Sequence, residues 1–225
     1  MTTEPELPGW QLIWNDEFDG PAGTLPDPGK WNQETGGEGW GNAEWQYYTG
    51  QPENAALTGD GALAITVRAA TPEQAQTLRC WYGPCRYTSA RLLTRDRFTF
   101  TYGRAGARIK VPYGQGIWPA FCALGANIGS VGWPESGEID IMENIGREPT
   151  TAHGTVHGPG YSGASGISGA VELPDGAAFA DDFHVFAVEW EPGEIRWYLD
   201  GNEFFQLTEA DLPPGGRWVF DHPFF

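Results

Sequence analysis

The chain has 225 residues and a net charge of −17, because 30 acidic residues stand against 13 Lys and Arg residues. This charge argues against a nucleic acid or an anionic membrane as partner, since their phosphate groups would repel the protein. No apolar run is long enough to span a membrane, and the polar N-terminus does not have the pattern of a signal peptide. The hydrophobic content of 40% predicts an ordinary globular core, and no linker divides the chain, so we expect one domain over residues 1–225.

Short apolar and aromatic runs separated by glycine turns predict an all-β protein. In chain order, strands are expected over residues 10–14, 44–49, 62–68, 87–93, 98–102, 105–111, 116–124, 137–144, 151–157, 183–191, 194–199 and 203–207. The run 116–124 is the most apolar and is predicted to be buried on both faces. Short helical turns are expected at 71–78 and 208–212. This many strands indicates a two-sheet sandwich or a barrel, and a curved sandwich would leave a concave face able to hold a polysaccharide.

The three cysteines predict two different environments. Cys80 and Cys85 lie in the short CWYGPC loop, where they could form a local disulfide or remain two thiols. Cys122 lies in the apolar run WPAFCALG and is predicted to be a small buried core residue.

The segment from Gly137 to Asn144 carries three carboxylates separated by apolar side chains. Side chains alternate along a strand, so Glu138 and Asp140 share a face, whereas Glu143 is out of phase by one residue. A single β-bulge near Ile141 or Met142 would return Glu143 to that face.

Three neighbouring acids on one strand face repel one another, which an enzyme can use and a structural protein cannot. Neighbouring charge and burial push carboxyl pKa values apart, so one acid is ionised while another keeps its proton. Glycoside cleavage needs such a pair, at about 5–5.5 Å for a retaining reaction or about 6.5–9.5 Å for an inverting one. A fully extended strand would separate the two Glu Cα atoms by about 13 Å, and long side chains could close much of that distance. A solvated acidic strand face is the alternative.

The sequence Glu138-Ile139-Asp140-Ile141-Met142-Glu143 resembles the ExDxxE signature of glycoside hydrolase family 16, in the form typical of laminarinases, which are endo-β-1,3-glucanases. The resemblance continues in order through WNDEFDG, GWGNAEWQYYT, YTSARLLT, FTYGRAGARIKVPYGQGIWPAFCALG, TAHGTVHGPGYSG and FHVFAVEWEPGEIRWYLDG. It therefore covers essentially the whole chain. It implies a curved two-sheet β-jelly-roll sandwich with a concave substrate cleft, and retaining, endo-acting hydrolysis of a β-1,3-glucan.

The same resemblance assigns roles to individual residues. It implies that Glu138 is the nucleophile, that Glu143 is the general acid/base, and that Asp140 tunes the pair. It further implies a set of substrate-binding residues around them: His157 beside the pair, Trp118 and Trp133 lining the cleft, and Asn42, Glu44 and Arg91 gripping sugar hydroxyls.

The resemblance also implies secretion, a monomer and no required cofactor. Many family members hold a structural calcium ion through the acid that corresponds to Glu17 and a residue of a final strand. This chain ends at Phe225, before that strand, so we expect a C-terminally short domain and do not predict calcium, whose sites need about 6–8 oxygen ligands.

Two alternatives stay open. One is a non-catalytic β-glucan-binding sandwich, although retention of all three acids argues against it. The other is a hydrolase of mixed-linkage glucan, agarose or a sulfated galactan, of which the sulfated substrate is disfavoured by the charge of −17.

Overall fold

A computed structural model describes residues 8–225, which form two compact units: one ends at Phe98 and the other begins at Thr99. The structure of each unit is nearly all β. No helix among residues 8–225 combines the length and hydropathy needed to span a bilayer.

The first unit consists of short paired strands and one helix. Its elements are β1 (Asn32–Glu34), β2 (Gln46–Tyr48), β3 (Ala55–Leu57), β4 (Leu63–Ile65), β5 (Arg68–Ala69), α1 (Pro72–Thr77), β6 (Arg79–Cys80), β7 (Gly83–Pro84), β8 (Tyr87–Ser89) and β9 (Arg91–Leu93). β1 pairs with β9, β3 with β4 and β6 with β7, while β8 lies between β2, which is parallel to it, and β5.

Local chemistry explains two of these elements. Thr71 caps α1: its hydroxyl accepts from the Gln74 backbone nitrogen at 3.1 Å, and the Gln74 side chain accepts from the Thr71 nitrogen at 2.9 Å. The helical turn predicted at 71–78 is therefore confirmed. The β6–β7 hairpin is closed by the Cys80–Cys85 disulfide, which confirms the first of the two alternatives for these cysteines.

The strand predicted over residues 10–14 is wrong. This segment forms no strand, and Leu12 and Ile13 are exposed. The Trp14 ring instead packs edge-on against Trp31 and stacks on Phe98, with centroids 5.4 and 5.5 Å apart. Ring contacts rather than a backbone ladder hold the segment, and periodicity cannot distinguish these two arrangements.

The second unit contains two four-stranded antiparallel sheets. The first has the order β10–β15–β16–β17 and the second has the order β11–β12–β13–β14. The strands are β10 (Gly103–Ile109), β11 (Ala120–Leu124), β12 (Glu138–Asn144), β13 (Thr151–His157), β14 (Ile167–Glu172), β15 (His184–Glu191), β16 (Glu194–Leu199) and β17 (Asn202–Thr208). A four-residue helix, α2 (Ile128–Val131), follows β11, and the 208–212 turn is a short 3₁₀ helix at Glu209–Asp211.

The core of this unit follows from alternation along its strands. On β16, Ile195, Trp197 and Leu199 point into the core, and the intervening residues are only half-buried. Gly154 on β13 leaves room for Trp197, because a Cβ at Gly154 would lie 2.3 Å from the indole. Phe224 is fully buried in the same core.

The run predicted as one strand over 116–124, buried on both faces, is wrong in two respects. The strand β11 begins only at Ala120, and only one of its faces contributes to the core. Ala123 is buried there, whereas Ala120 and Cys122 are exposed on the other face. The prediction of Cys122 as a buried core residue is therefore also wrong, because alternation turns its side chain away from the core.

Candidate active site

A β-bulge places the three carboxylates of β12 on the face opposite the core. Asp140 pairs with Thr155 of β13, and the next pair is Glu143 with His153. Between these two pairs β12 therefore contains one residue more than β13. Ile139, Ile141 and Met142 all lie in the core, each 2% exposed. The bulge therefore contains Ile141 and Met142, as predicted, and two apolar side chains in succession face inward. Burial of both is the physical reason for the bulge.

Each outer glutamate accepts a hydrogen bond from a half-exposed tryptophan. Trp133 Nε1 donates to Glu138 Oε2 at 2.8 Å, and Trp118 Nε1 donates to Glu143 Oε1 at 2.9 Å. Trp133 is 46% exposed and Trp118 is 51% exposed. These rings thus hold the carboxylates in place and keep apolar faces accessible to a ligand.

Asp140 lies between the glutamates and is buried. Burial, together with the charges of Glu138 and Glu143, raises its pKa from 3.8 to about 7, against the opposing effect of His157. His157 Nε2 lies 3.3 Å from Asp140 Oδ2. Burial lowers the pKa of His157, but its contact with Asp140 and the nearby glutamates raise it more, so the net direction is upward. The pair therefore keeps a proton in the middle of the cluster near neutral pH.

Thr155 was not among the predicted site residues. Its hydroxyl lies opposite Asp140 on β13 and within 3.4 Å of Glu143 Oε2, and it shares a 2.9 Å hydrogen bond with Ser168 on β14. Ser168 also donates to the Gly154 carbonyl at 3.2 Å. Because each hydroxyl has a single hydrogen, Thr155 donates either to Glu143 or to Ser168, and it is the residue of β13 that lies next to Glu143 Oε2. The alternation of TAHGTVH could have indicated it, because Thr155 shares a face with His157.

Cys122 belongs to the same face. It pairs directly with Asp140 across β11 and β12, and its Sγ lies within 4.8 Å of carboxylate oxygens of Glu138 and Asp140. The sequence analysis predicted a core position for Cys122 because the neighbouring residues are apolar.

The other three predicted binding residues lie in the first unit. Arg91 forms an ion pair with Glu34, with Nε 2.9 Å from Oε2, and its guanidinium lies 5.0 Å from the centre of the Trp40 ring. Glu44 accepts hydrogen bonds from Gln46 and, at 2.7 Å, from the Tyr48 hydroxyl. That contact and burial raise the pKa of Tyr48.

Asn42 is exposed in the loop before β2, and its backbone nitrogen donates to the Gly39 carbonyl at 2.9 Å. The sequence-predicted site therefore falls into two sets: Glu138, Asp140, Glu143, Trp118, Trp133 and His157 are brought together in the second unit, and Asn42, Glu44 and Arg91 form part of the first.

Glu17 is the acid to which the resemblance assigns a role in calcium binding. Its carboxylate accepts a hydrogen bond from the Asn15 amide at 3.1 Å. Among residues 8–225, the group of three acidic, Cys or His side chains close enough to share an ion lies elsewhere, at Cys122, Glu138 and Asp140.

Comparisons of this chain with known proteins all indicate the same family. The sequence model of glycosyl hydrolases family 16 matches residues 42–221. A beta-glucanase from Rhodothermus marinus is 42% identical over 97% of this chain and 74% of its own length. A glucan endo-1,3-beta-glucosidase A1 from Niallia circulans is 37% identical over 99% of this chain, which spans only 34% of that longer protein.

Solved structures agree. The laminarinase catalytic domain from Thermotoga maritima MSB8 is 45% identical, covers 96% of this chain and 84% of its own, and has a TM-score of 0.84. Similarity at this level confirms the predicted all-β jelly-roll fold.

Proposed function

Because the chain belongs to family 16 of the glycosyl hydrolases, we propose that it is a retaining endo-β-1,3-glucanase in which Glu138 is the nucleophile and Glu143 the general acid/base. The observation that carries the assignment of these two residues is the bulge in β12. It puts both glutamates on one face of a single strand, with Asp140 between them and an indole donor on each.

The first step forms a covalent intermediate. Glu143 gives its proton to the glycosidic oxygen while a Glu138 oxygen attacks the anomeric carbon, and the leaving glucan departs with a new hydroxyl. The hydrogen bond that Trp133 donates to Glu138 Oε2 holds the carboxylate in one orientation, which the attack on the anomeric carbon requires.

The second step returns the enzyme to its starting state. Glu143, now a carboxylate, takes a proton from water as that water attacks the anomeric carbon, and the bond to Glu138 breaks. Trp118 and Thr155 keep the Glu143 carboxyl in one place for both proton transfers. The anomeric carbon is inverted twice, so its configuration is retained.

The remaining predicted residues are assigned to binding of the polymer. In this proposal the faces of Trp118 and Trp133 stack on sugar rings, His157 stabilises the charge on Asp140, and Asn42, Glu44 and Arg91 bind hydroxyls of the glucan. The reaction uses two carboxyls and water, so it requires neither a cofactor nor a second subunit. A neutral glucan suits a protein with a net charge of −17, and a polymer too large to enter cells implies action outside the cell.

The test is release of reducing ends from β-1,3-glucan, mixed-linkage glucan and agarose. The parent chain is compared with Glu138→Gln and with Glu172→Gln, a matched change at an exposed glutamate on β14. We expect the parent and Glu172→Gln to release sugar from β-1,3-glucan and Glu138→Gln to release none while still binding the polymer. Turnover by Glu138→Gln would reject it as nucleophile, and binding without turnover by the parent would favour the non-catalytic alternative.

A further inference from the structure

The face of β12 that carries the acids also brings a thiol into the cluster. Cys122 Sγ and one carboxylate oxygen each from Glu138 and Asp140 all lie within 4.8 Å of one another. One sulfur and two oxygen ligand atoms are therefore within reach of a single point, and His157 Nε2 lies beside them, 3.3 Å from Asp140 Oδ2.

Strand pairing fixes this arrangement. Cys122 of β11 lies directly opposite Asp140, and His157 of β13 lies directly opposite Glu138. Glu138 and Asp140 are two residues apart on β12 and share a face. The three donors thus come from two adjacent strands of one sheet, and His157 lies beside them on a third strand, which is a rigid support for a metal ion.

Asp140 gives an independent indication that a ligand belongs here. It is 4% exposed, and its Oδ2 atom accepts no well-aligned hydrogen bond within the described structure, although His157 is near. A buried carboxylate oxygen without full compensation is costly. A cation in contact with this oxygen would compensate it, and would also relieve the repulsion among neighbouring acids.

The donor types select the ion. Calcium and magnesium prefer shells made of oxygen, whereas zinc takes thiolate ligands and also binds carboxylate oxygens. In a tetrahedral zinc site, bond lengths of about 2.0–2.3 Å place ligand atoms roughly 3.5 Å apart. The present separations, at most 4.8 Å, therefore have to shorten by roughly 1 Å when the ion binds.

We propose that Cys122, Glu138 and Asp140 bind Zn²⁺, with water as the fourth ligand, and that the bound ion reversibly blocks the site. The ion would occupy a carboxylate oxygen of Glu138 and so compete with any substrate that this carboxylate must reach. Zinc binding itself does not depend on the proposed glucanase activity, so the two proposals fail separately.

The experiment measures metal binding directly. Chelator-stripped protein is titrated with ZnCl₂ in a calorimeter, and with Co²⁺ while the thiolate-to-metal charge-transfer absorption in the near ultraviolet is recorded. Variants are Cys122→Ala and Cys122→Ser. The control is His184→Ala, which removes another imidazole that contacts a carboxylate, Asp200, at 2.7 Å.

We expect one zinc ion per chain, a cobalt charge-transfer band, and loss of both by either Cys122 variant but not by His184→Ala. Zinc affinity should fall at least about tenfold without the thiol, since even indirect contacts to metal ligands are worth that much. In parallel, zinc should inhibit polymer cleavage by the parent at concentrations that leave the Cys122 variants active, and a chelator should restore activity. Absence of zinc binding to the parent, or equal binding by the Cys122 variants, would overturn the proposal.

Discussion

Trp197 Nε1 donates a 2.8 Å hydrogen bond to the backbone carbonyl of Asp140, and both groups are buried. The bond connects β16 of one sheet with β12 of the other, immediately before the bulge. A bulge disrupts the backbone ladder locally, and this indole gives the carbonyl beside the bulge a hydrogen-bond donor from the other sheet. The position of the carboxylates therefore depends on a core tryptophan that does not lie on their face.

Replacement of Trp197 by Phe should weaken both the fold and the site. The change keeps an aromatic ring but leaves the Asp140 carbonyl unpaired, which costs about 1–3 kcal/mol of unfolding free energy. A mobile bulge should also lower kcat more than it raises KM. Chemical denaturation and initial rates on β-1,3-glucan measure the two effects.

Trp190→Phe is a matched control for this change. Trp190 is also fully buried, and its Nε1 donates a 2.8 Å hydrogen bond to the carbonyl of Phe220, a residue outside β12. It should lose similar stability and keep its kcat. Equal kcat losses in the two variants would mean that stability, rather than the bulge, accounts for the effect.

The sequence predicted the carboxylate arrangement because that arrangement depends on local rules. Strand alternation puts Glu138 and Asp140 on one face, and the spacing of Glu143 requires one extra residue, which the structure supplies between Asp140 and Glu143. Packing between distant segments was not predictable in this way. The segment 10–14 has the composition of a strand but is held by ring contacts.

Site residues that depend on cross-strand register were also missed. Cys122 and Thr155 reach the carboxylates only because each lies opposite Asp140 on a neighbouring strand. An apolar sequence context favoured a core position for Cys122, and no single-chain pattern states which residue faces which across a sheet.

The indole of Trp133 should contribute to rate through its contact with Glu138. A hydrogen bond to a charged group is worth about 1.5–3 kcal/mol, so Trp133→Phe should lower kcat by roughly 10- to 100-fold. KM should change less, because an aromatic ring remains for the sugar. Steady-state kinetics on β-1,3-glucan give both numbers.

Trp31→Phe provides the comparison. Trp31 Nε1 donates to the Asp16 carboxylate at 2.8 Å, in the first unit, and neither residue is a proposed catalytic group. It should lose a chemically similar hydrogen bond with little change in kcat. If Trp133→Phe retains full kcat, the Glu138 carboxylate is held in place by other contacts.

Stability should fall as the pH rises through the range in which Asp140 and His157 lose protons. The pKa of Asp140 is raised from 3.8 to about 7, and that of His157 is raised above 6.5, so the folded state binds protons more tightly than the unfolded state. Between pH 4 and 7 the unfolded chain gives up the Asp140 proton first, and the free energy of unfolding declines with rising pH. The His157 contribution declines in the same direction above pH 6.5.

Asp140→Asn isolates this effect. The amide cannot titrate, so the Tm of the variant minus the Tm of the parent should increase as the pH rises from 4 to 8. Both Tm values are measured in a chelating buffer. Glu73→Gln, at an exposed position on α1, should show a constant difference from the parent over the same range. A constant difference for Asp140→Asn as well would show that Asp140 is ionised in the folded protein throughout.

Glu143→Ala should distinguish the acid/base from the nucleophile by its dependence on the leaving group. Loss of a general acid costs about 10²–10⁴ in rate, so cleavage of β-1,3-glucan, whose leaving hydroxyl needs a proton, should fall by that amount. An aryl β-glucoside with an acidic phenol leaves without a proton, so its first step should be nearly unaffected. Azide, which needs no general base, should then speed the second step and give a β-glycosyl azide.

Glu138→Gln should be inactive on both substrates and unresponsive to azide, since without the nucleophile no intermediate forms. If Glu143→Ala lowered the cleavage rate of both substrates equally and gave no azide product, Glu143 would not be the residue that transfers the proton.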